Sequence, residues 1–441
     1  MVSAGIDVAF PTTEPATAPG AAPVPAPPAP QVTPATTPAD RTPVAQTHER
    51  RYQILDALRF LLAFWVAVAH FGTFPLFAGI DTTTSLGYVT MHAWNSLVMG
   101  IPAVIVFFVI SGFCIHWPFR HGEPFSITRY YARRYTRILV PVAAALWIYA
   151  ASGMKIRWLG EHSILWESVL WSLACEEIYY AAYPVIIWLK KRFTWRLVIP
   201  ASFAASIACS SAATKELEFR ALGPFLTASI LLPVWLLGCL LAEQAETIPT
   251  QKPALSIWFW RFLAWAASCV CGFLNFKLQV GWTQTLLWFG LLAYFWVKQE
   301  LAHNRRRQPS RLLVMAGAWS YSLYLVHAPA RRFYDQLAVP NFGYTMNWVL
   351  SYAFILLFAF LFYRAVEKPS HAFARKIRVH LAPRQTNALA EKTLNSPIPA
   401  AANRDSNPAA SASTSTAPPA SETAVAATAG SAPSQTPTRS R

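Results

Sequence analysis

The sequence predicts an all-α polytopic membrane protein. About ten transmembrane helices are expected, with both termini cytoplasmic and disordered tails rich in proline and alanine. Three observations predict it. The 441 residues are 54% hydrophobic and 13% charged, about half the ~25% charged share of a soluble domain. Apolar runs of helical length recur through the middle of the chain, and a bilayer crossing takes ~20 such residues. Lys and Arg gather in alternate connections, as the positive-inside rule requires.

Residues 1–50 hold eleven prolines among Ala, Thr and Val, and residues 381–441 are Ala, Ser, Thr and Pro with few aromatics. Neither segment buries enough apolar surface to offset its chain entropy. The chain therefore divides into a tail (1–50), a transmembrane domain (51–380) and a second tail (381–441). Within the domain, apolar runs fall at about 54–74, 97–117, 138–152, 164–189, 197–213, 222–242, 257–274, 281–297, 312–328 and 348–365. Several contain Pro or Gly, which membrane helices tolerate. The first run starts too late for a cleavable signal peptide and is expected to be a permanent span. With the amino terminus placed inside, 24 Lys and Arg fall on the cytoplasmic side and 7 on the other. The net charge of +16 thus reads as a topology signal, and no nucleic-acid partner is expected. All six cysteines sit in apolar runs, so neither a disulfide scaffold nor a metal site is expected.

Charges inside apolar runs are the candidates for function, because each costs on the order of 2.5–3.5 kcal/mol on insertion scales. The first run carries Asp56, Arg59 and His70. Arg59 and His70 lie on nearly one helical face, ~16 Å apart along the axis. The plainer reading has Arg59 paired with Asp56 and His70 at the outer interface. The fourth run carries Ser172, Glu176 and Tyr180 at i, i+4, i+8, with Glu177 adjacent. Two neighbouring carboxylates need a polar interior, a proton or a cation; the plainer reading is a structural pair with a buried Arg. The second run ends in Ser111-Gly112-Phe113, where Gly112 permits close backbone approach or a local break. A basic loop follows, with Arg129, Arg133, Arg134 and Arg137. It either anchors topology or captures a polyanion, since Arg binds phosphate bidentately. The ninth run places Ser320, Tyr324 and His327 on one face, where the tyrosines also suit an aromatic belt. The other histidines lie at loop edges or in tails and are expected to be solvated.

Taken together, these strings resemble the integral-membrane acyltransferase 3 family. Leu55-Asp56-Ala57-Leu58-Arg59 with His70 is similar to its Arg-x10-His opening helix. Phe107-Phe108-Val109-Ile110-Ser111-Gly112-Phe113 is similar to its Ser-Gly-Phe segment. Arg134-Tyr135-Thr136-Arg137-Ile138 matches its Arg-x-x-Arg-Ile step. Trp171-Ser172-Leu173-Ala174-Cys175-Glu176-Glu177 resembles its Trp-Ser-Leu-x-x-Glu-Glu signature. Tyr321 to His327 and Glu367-Lys368-Pro369 resemble its last two helices. The combination covers residues 54–370. Two departures stand out. Many members carry a His pair in the first helix, whereas position 69 here is Ala, so His70 is expected to act alone. Ala174-Cys175 replaces the usual Ser-Val.

The resemblance implies an O-acyltransferase of the bacterial cytoplasmic (inner) membrane, active in cell-envelope polysaccharide O-acetylation. Its donor would be acyl-CoA, acetyl-CoA above all, and its acceptor a saccharide or lipid-linked glycan. Arg59, Arg134, Arg137 and Ser111 would bind the donor. His70 would act as base or acyl carrier, with Glu176 or Glu177 orienting a donor, pairing with an Arg or tuning His70. Asp56, Ser172, Tyr180, Tyr324 and His327 are further candidates. The rival is a transporter or flippase using the same buried Arg, Glu and His as a relay.

Overall fold

The computed structural model describes residues 52–154, 170–212, 219–249 and 255–380. Both predicted tails lie outside the described residues, as do Lys155, Arg157, Lys215 and Lys252, which entered the charge count. The helices are α1 (Gln53–Phe71), α2 (Ser85–Asn95), α3 (Gly100–His116), α4 (Ile127–Ala151), α5 (Trp171–Ala212) and α6 (Gly223–Gln244). They continue with α7 (Ile257–Leu278), α8 (Trp282–Asn304), α9 (Arg311–Gly317), α10 (Ser320–Gln336), α11 (Tyr344–Phe362) and α12 (Lys368–His380). A π-helical turn, Tyr363–Glu367, joins the last two. No strand occurs among the described residues.

Six helical stretches are long and apolar enough to cross a bilayer: Gln53–Phe71, Ser85–Phe119, Trp171–Ala212, Gly223–Gln244, Ile257–Leu278 and Tyr344–Lys376. The protein is thus a multi-pass membrane protein, with fewer spans on that criterion than the ten expected. The remaining runs are also helical but are divided, merged or diluted by polar residues. The ninth breaks between α9 and α10 at Ala318-Trp319. The fourth and fifth merge in α5, which bends at Thr194, a β-branched residue at φ 60° and ψ 162°.

The arginine stretch expected as a loop is helical. Ser126 caps α4 by accepting from the Arg129 N–H, so Arg129, Arg133, Arg134 and Arg137 ride its first three turns. Gly112 serves close approach rather than a break. A Cβ there would stand 2.0 Å from the Trp235 carbonyl oxygen, and one at Gly238 would stand 2.1 Å from that of Val109. α3 and α6 therefore meet backbone to backbone, the small-residue packing that membrane helices use.

Candidate active site

Every element that bears the predicted polar residues contributes to one cavity of about 320 Å³. α1 supplies Asp56 and Arg59, α3 supplies Ser111, and α4 supplies Arg134 and Arg137. α5 supplies Ser172, Glu176 and Tyr180, and α10 supplies Tyr324. Glu177, His70 and His327 do not line it. Cys114, Tyr321, Glu367 and His371 do, and were not singled out as site residues from the sequence.

The polar atoms form two connected sets. In the first, the Trp235 indole N–H donates to Ser111 Oγ at 3.2 Å, and Tyr180 OH donates to Glu176 Oε2 at 3.0 Å. Ser111 and Tyr180 are 2.9 Å apart. With its only proton spent on Glu176, Tyr180 must accept from Ser111. The donors thus run in one direction, from Trp235 to the Glu176 carboxylate. The Arg134 guanidinium carbon lies 3.9 Å over the Tyr180 ring, a cation–π arrangement. Its Nε is shielded and has no hydrogen-bond partner. Among the described residues Arg134 forms no ion pair.

The second set was missed as a unit. Arg137 Nε donates to His371 Nε2 at 2.9 Å, and His371 stands 3.7 Å from Glu367. Glu367 accepts from the Ser322 N–H at 3.1 Å and from its hydroxyl. An imidazole nitrogen that accepts from a guanidinium carries no proton, so His371 is neutral, and its 3.7 Å approach to Glu367, made by that same Nε2, is a contact without a hydrogen bond. The expectation that the unassigned histidines are solvated fails here. It fails also for His116, 1% exposed, which meets Tyr183 OH at 2.9 Å and Glu243 at 3.0 Å. Glu367 followed by His371 at i+4 was the signal available.

Asp56 and Arg59 pair at 3.7 Å, as the spacing predicts. Ser172 Oγ meets Tyr324 OH at 2.6 Å. Both oxygens of Glu177 are shielded and accept no hydrogen bond, so the adjacent carboxylates differ: Glu176 enters the cavity network and Glu177 stands outside it.

His70 is exposed at the end of α1, at the opposite end of the helix from Arg59. It is not alone. The fully buried His327 ring lies 5.3 Å from it, centroid to centroid. His327 also lies 5.9 Å from the Tyr324 ring. A row Tyr324–His327–His70 therefore leads from the cavity wall to the open end of α1. In both imidazoles Nδ1 meets a backbone carbonyl at 2.8 Å, Val66 for His70 and Tyr324 for His327. A carbonyl only accepts, so each Nδ1 carries the proton and each Nε2 is the basic nitrogen. His327 Nε2 is buried and has no hydrogen-bond partner.

A family model described as an acyltransferase domain matches residues 52–364. Acyltransferase MdmB of Streptomyces mycarofaciens is 24% identical over 355 residues, covering 70% of this chain and 87% of that protein. No solved structure matches. The matched segment opens at the start of α1 and takes in all the cavity helices up to the π-helical turn, and the chain belongs to the Acyl_transf_3 family of acyltransferase domains.

Proposed function

We propose that this membrane acyltransferase moves an acyl group, acetyl in the first instance, from acyl-CoA to a hydroxyl of a saccharide or lipid-linked glycan in the bacterial inner membrane. One observation carries the reading. Arg59, Arg134 and Arg137, from two helices, share a single cavity with Glu176 and Tyr180. The unpartnered Nε of Arg134 is an orphan donor that a phosphate oxygen satisfies. At about 320 Å³ the cavity sits at the low end of ligand pockets, roughly 300–1,000 Å³, and takes part of a CoA molecule, not all of it.

The chemistry falls to the histidine row. The acceptor hydroxyl gives its proton to an imidazole Nε2. Its oxygen forms the new C–O bond at the thioester carbonyl. The C–S bond breaks, and the CoA thiolate takes back the proton. An acyl-imidazole intermediate on His70 divides the same transfer into two steps. Tyr324, which lines the cavity and stands beside His327, marks the path the thioester follows. Arg59 positions the donor at the cavity end of α1, ~16 Å from His70.

The alternation expected of α1, α4, α10 and α11 is supported by which helix ends meet. The Trp348 indole N–H near the start of α11 donates to Gly72 just after α1. Arg332 near the end of α10 donates to the Ser152 carbonyl after α4. Gly317, before α10, abuts Asp56 at the start of α1. The arginine-rich starts of α1 and α4 share the cavity, as the inner face requires.

The test is the purified full chain in lipid vesicles, given acetyl-CoA and a crude bacterial glycan. Release of free CoA that depends on acceptor, together with its loss in His70→Ala, supports the reading. Solute flux without thioester consumption overturns it.

A further inference from the structure

A second cavity, larger than the one that holds the polar residues, lies apart from it. A groove of about 610 Å³ lies along the other face of α1, between it and α3, α7, α8 and α9. Leu58, Leu62 and Trp65 of α1 line it, with Ala103, Trp265 and Phe289 opposite. Its polar atoms are already committed. The Trp65 indole donates to the Met99 carbonyl at 3.1 Å, and the Trp265 indole to the Leu97 carbonyl at 3.0 Å. Ser268 Oγ donates to the Trp265 carbonyl at 2.7 Å. A sugar or a phosphate finds no donor inside. An alkyl chain loses nothing there.

The mouth is different. Arg307 is exposed at the rim beside His303, Gln308 and Ser310. Arg261, also at the rim, is neutralised by a bidentate bond to Glu300, 2.7 Å and 3.0 Å, and Glu300 is 0% exposed. The Trp296 indole closes the same carboxylate at 3.0 Å. Among the described residues that line the rim, the charge left uncancelled is therefore the cation of Arg307. Leu61 and Trp258 on the groove's edge are 44% and 70% exposed, so the groove opens sideways, toward lipid.

Length decides what fits. From Ile54 at the rim to Trp65 at the floor, α1 advances eleven residues, ~16 Å. That is about half of the ~30 Å hydrocarbon core, the depth of one leaflet. We propose that the groove is a binding site for one anionic glycerophospholipid of the leaflet at the arginine-rich end. Its phosphate meets Arg307 and one tail lies against Leu58, Leu62 and Trp265. α1 then separates this lipid from the polar cavity, with Arg59 on one side and Leu58 on the other.

The experiment uses the full chain in phosphatidylcholine vesicles doped with phosphatidylglycerol that carries a diazirine in its tail. After photolysis, adducts are mapped by mass spectrometry. Adducts concentrated on peptides spanning residues 54–65, 258–268 and 296–313 are expected. A basic residue near an anionic headgroup is worth ~1 kcal/mol, so Arg307→Glu lowers labelling at least about fivefold. A second variant, Ala264→Trp, fills the groove and abolishes the adducts without touching the rim charge. Three results overturn the proposal. Adducts spread evenly over exposed Trp147, Trp188 and Phe225 mean bulk lipid only. Equal labelling by the phosphatidylcholine analogue means no headgroup selection. Displacement of the probe by equimolar polyprenyl phosphate or long-chain acyl-CoA assigns the groove to a reaction substrate instead.

Discussion

Arg134→Lys separates recognition from topology. The positive-inside rule counts Lys and Arg alike, so a residue that only anchors the chain tolerates the exchange. The structure asks more of Arg134. Its guanidinium lies 3.9 Å over the Tyr180 ring, and its shielded Nε has no partner. A planar fork held flat on a ring presents its donors at a fixed angle, whereas an ammonium on a flexible stem does not. Losing one hydrogen bond to a charged group costs about 1.5–3 kcal/mol. At ~1.4 kcal/mol per tenfold, that is a rise of about 10- to 100-fold in the KM for acyl-CoA. The Tyr324–His327–His70 row is left in place, so kcat with the same acceptor changes little. The assay is CoA release from protein in vesicles across a range of acetyl-CoA concentrations. Tyr180→Phe is the control: it keeps the ring under Arg134 but removes the proton donated to Glu176, so it lowers kcat more than it raises KM. An unchanged donor KM in Arg134→Lys refutes the assignment and leaves the α4 arginines as anchors.

Three further outcomes follow. If His70 and His327 act as one unit, His70→Ala, His327→Ala and the double variant each lower kcat by about 10²–10⁴-fold, with losses that do not add; full kcat in His327→Ala removes that residue from the chemistry. Gly112→Ala places a methyl 2.0 Å from the Trp235 carbonyl and pushes α3 off α6, costing about 1–3 kcal/mol; faster thermal inactivation is expected, whereas Gly79→Ala, with nothing within 4 Å of its Cβ, is neutral. Just beyond α6, the Arg120 guanidinium donates to Glu246 at 2.6 Å and holds that carboxyl below its ordinary value of 4.5. The stabilisation is present above that value and lost as pH falls through the lowered one, so Arg120→Ala weakens the protein at neutral pH and flattens the acid limb of its stability profile; an acid limb identical to that of the parent protein refutes the link.

The cavity was legible where a polar side chain interrupts an apolar run. Asp56, Arg59, Ser172, Glu176, Tyr180 and Tyr324 stood out because lipid leaves an ionisable or hydroxyl group few places to go. That they meet at one cavity is what the fold adds. His371 gave no such signal, since it sits among polar residues near a helix end, and His116 was passed over as the edge of the second apolar run. The burial of each depends on partners far away in sequence: Arg137 for one, Tyr183 and Glu243 for the other. His327 was visible as a candidate, but its partnership with His70 was not, since 257 positions separate them in the numbering. The α5 bend was hidden for another reason. Neither Gly nor Pro marks Thr194, and the two flanking runs are apolar on both sides. The groove behind α1 left no mark in the sequence, because Leu, Trp and Ala carry no sign of whether another helix or a lipid covers them.

The two histidines explain why the row runs along α1 and α10 rather than through the cavity itself. A proton acceptor must keep its lone pair, and Arg59, Arg134 and Arg137 offer protons to every acceptor within reach, as His371 shows by accepting from Arg137. An imidazole placed among them is occupied before any substrate arrives. His327 lies one ring beyond Tyr324, buried and outside the cavity that holds these guanidiniums, with Nδ1 tied to the backbone so that Nε2 keeps its lone pair for the role proposed above. An unpaired buried nitrogen costs about 1–3 kcal/mol, and in the proposed mechanism a hydroxyl of the acceptor supplies the missing bond, with His70, exposed at the end of α1, as the imidazole nearest the opening.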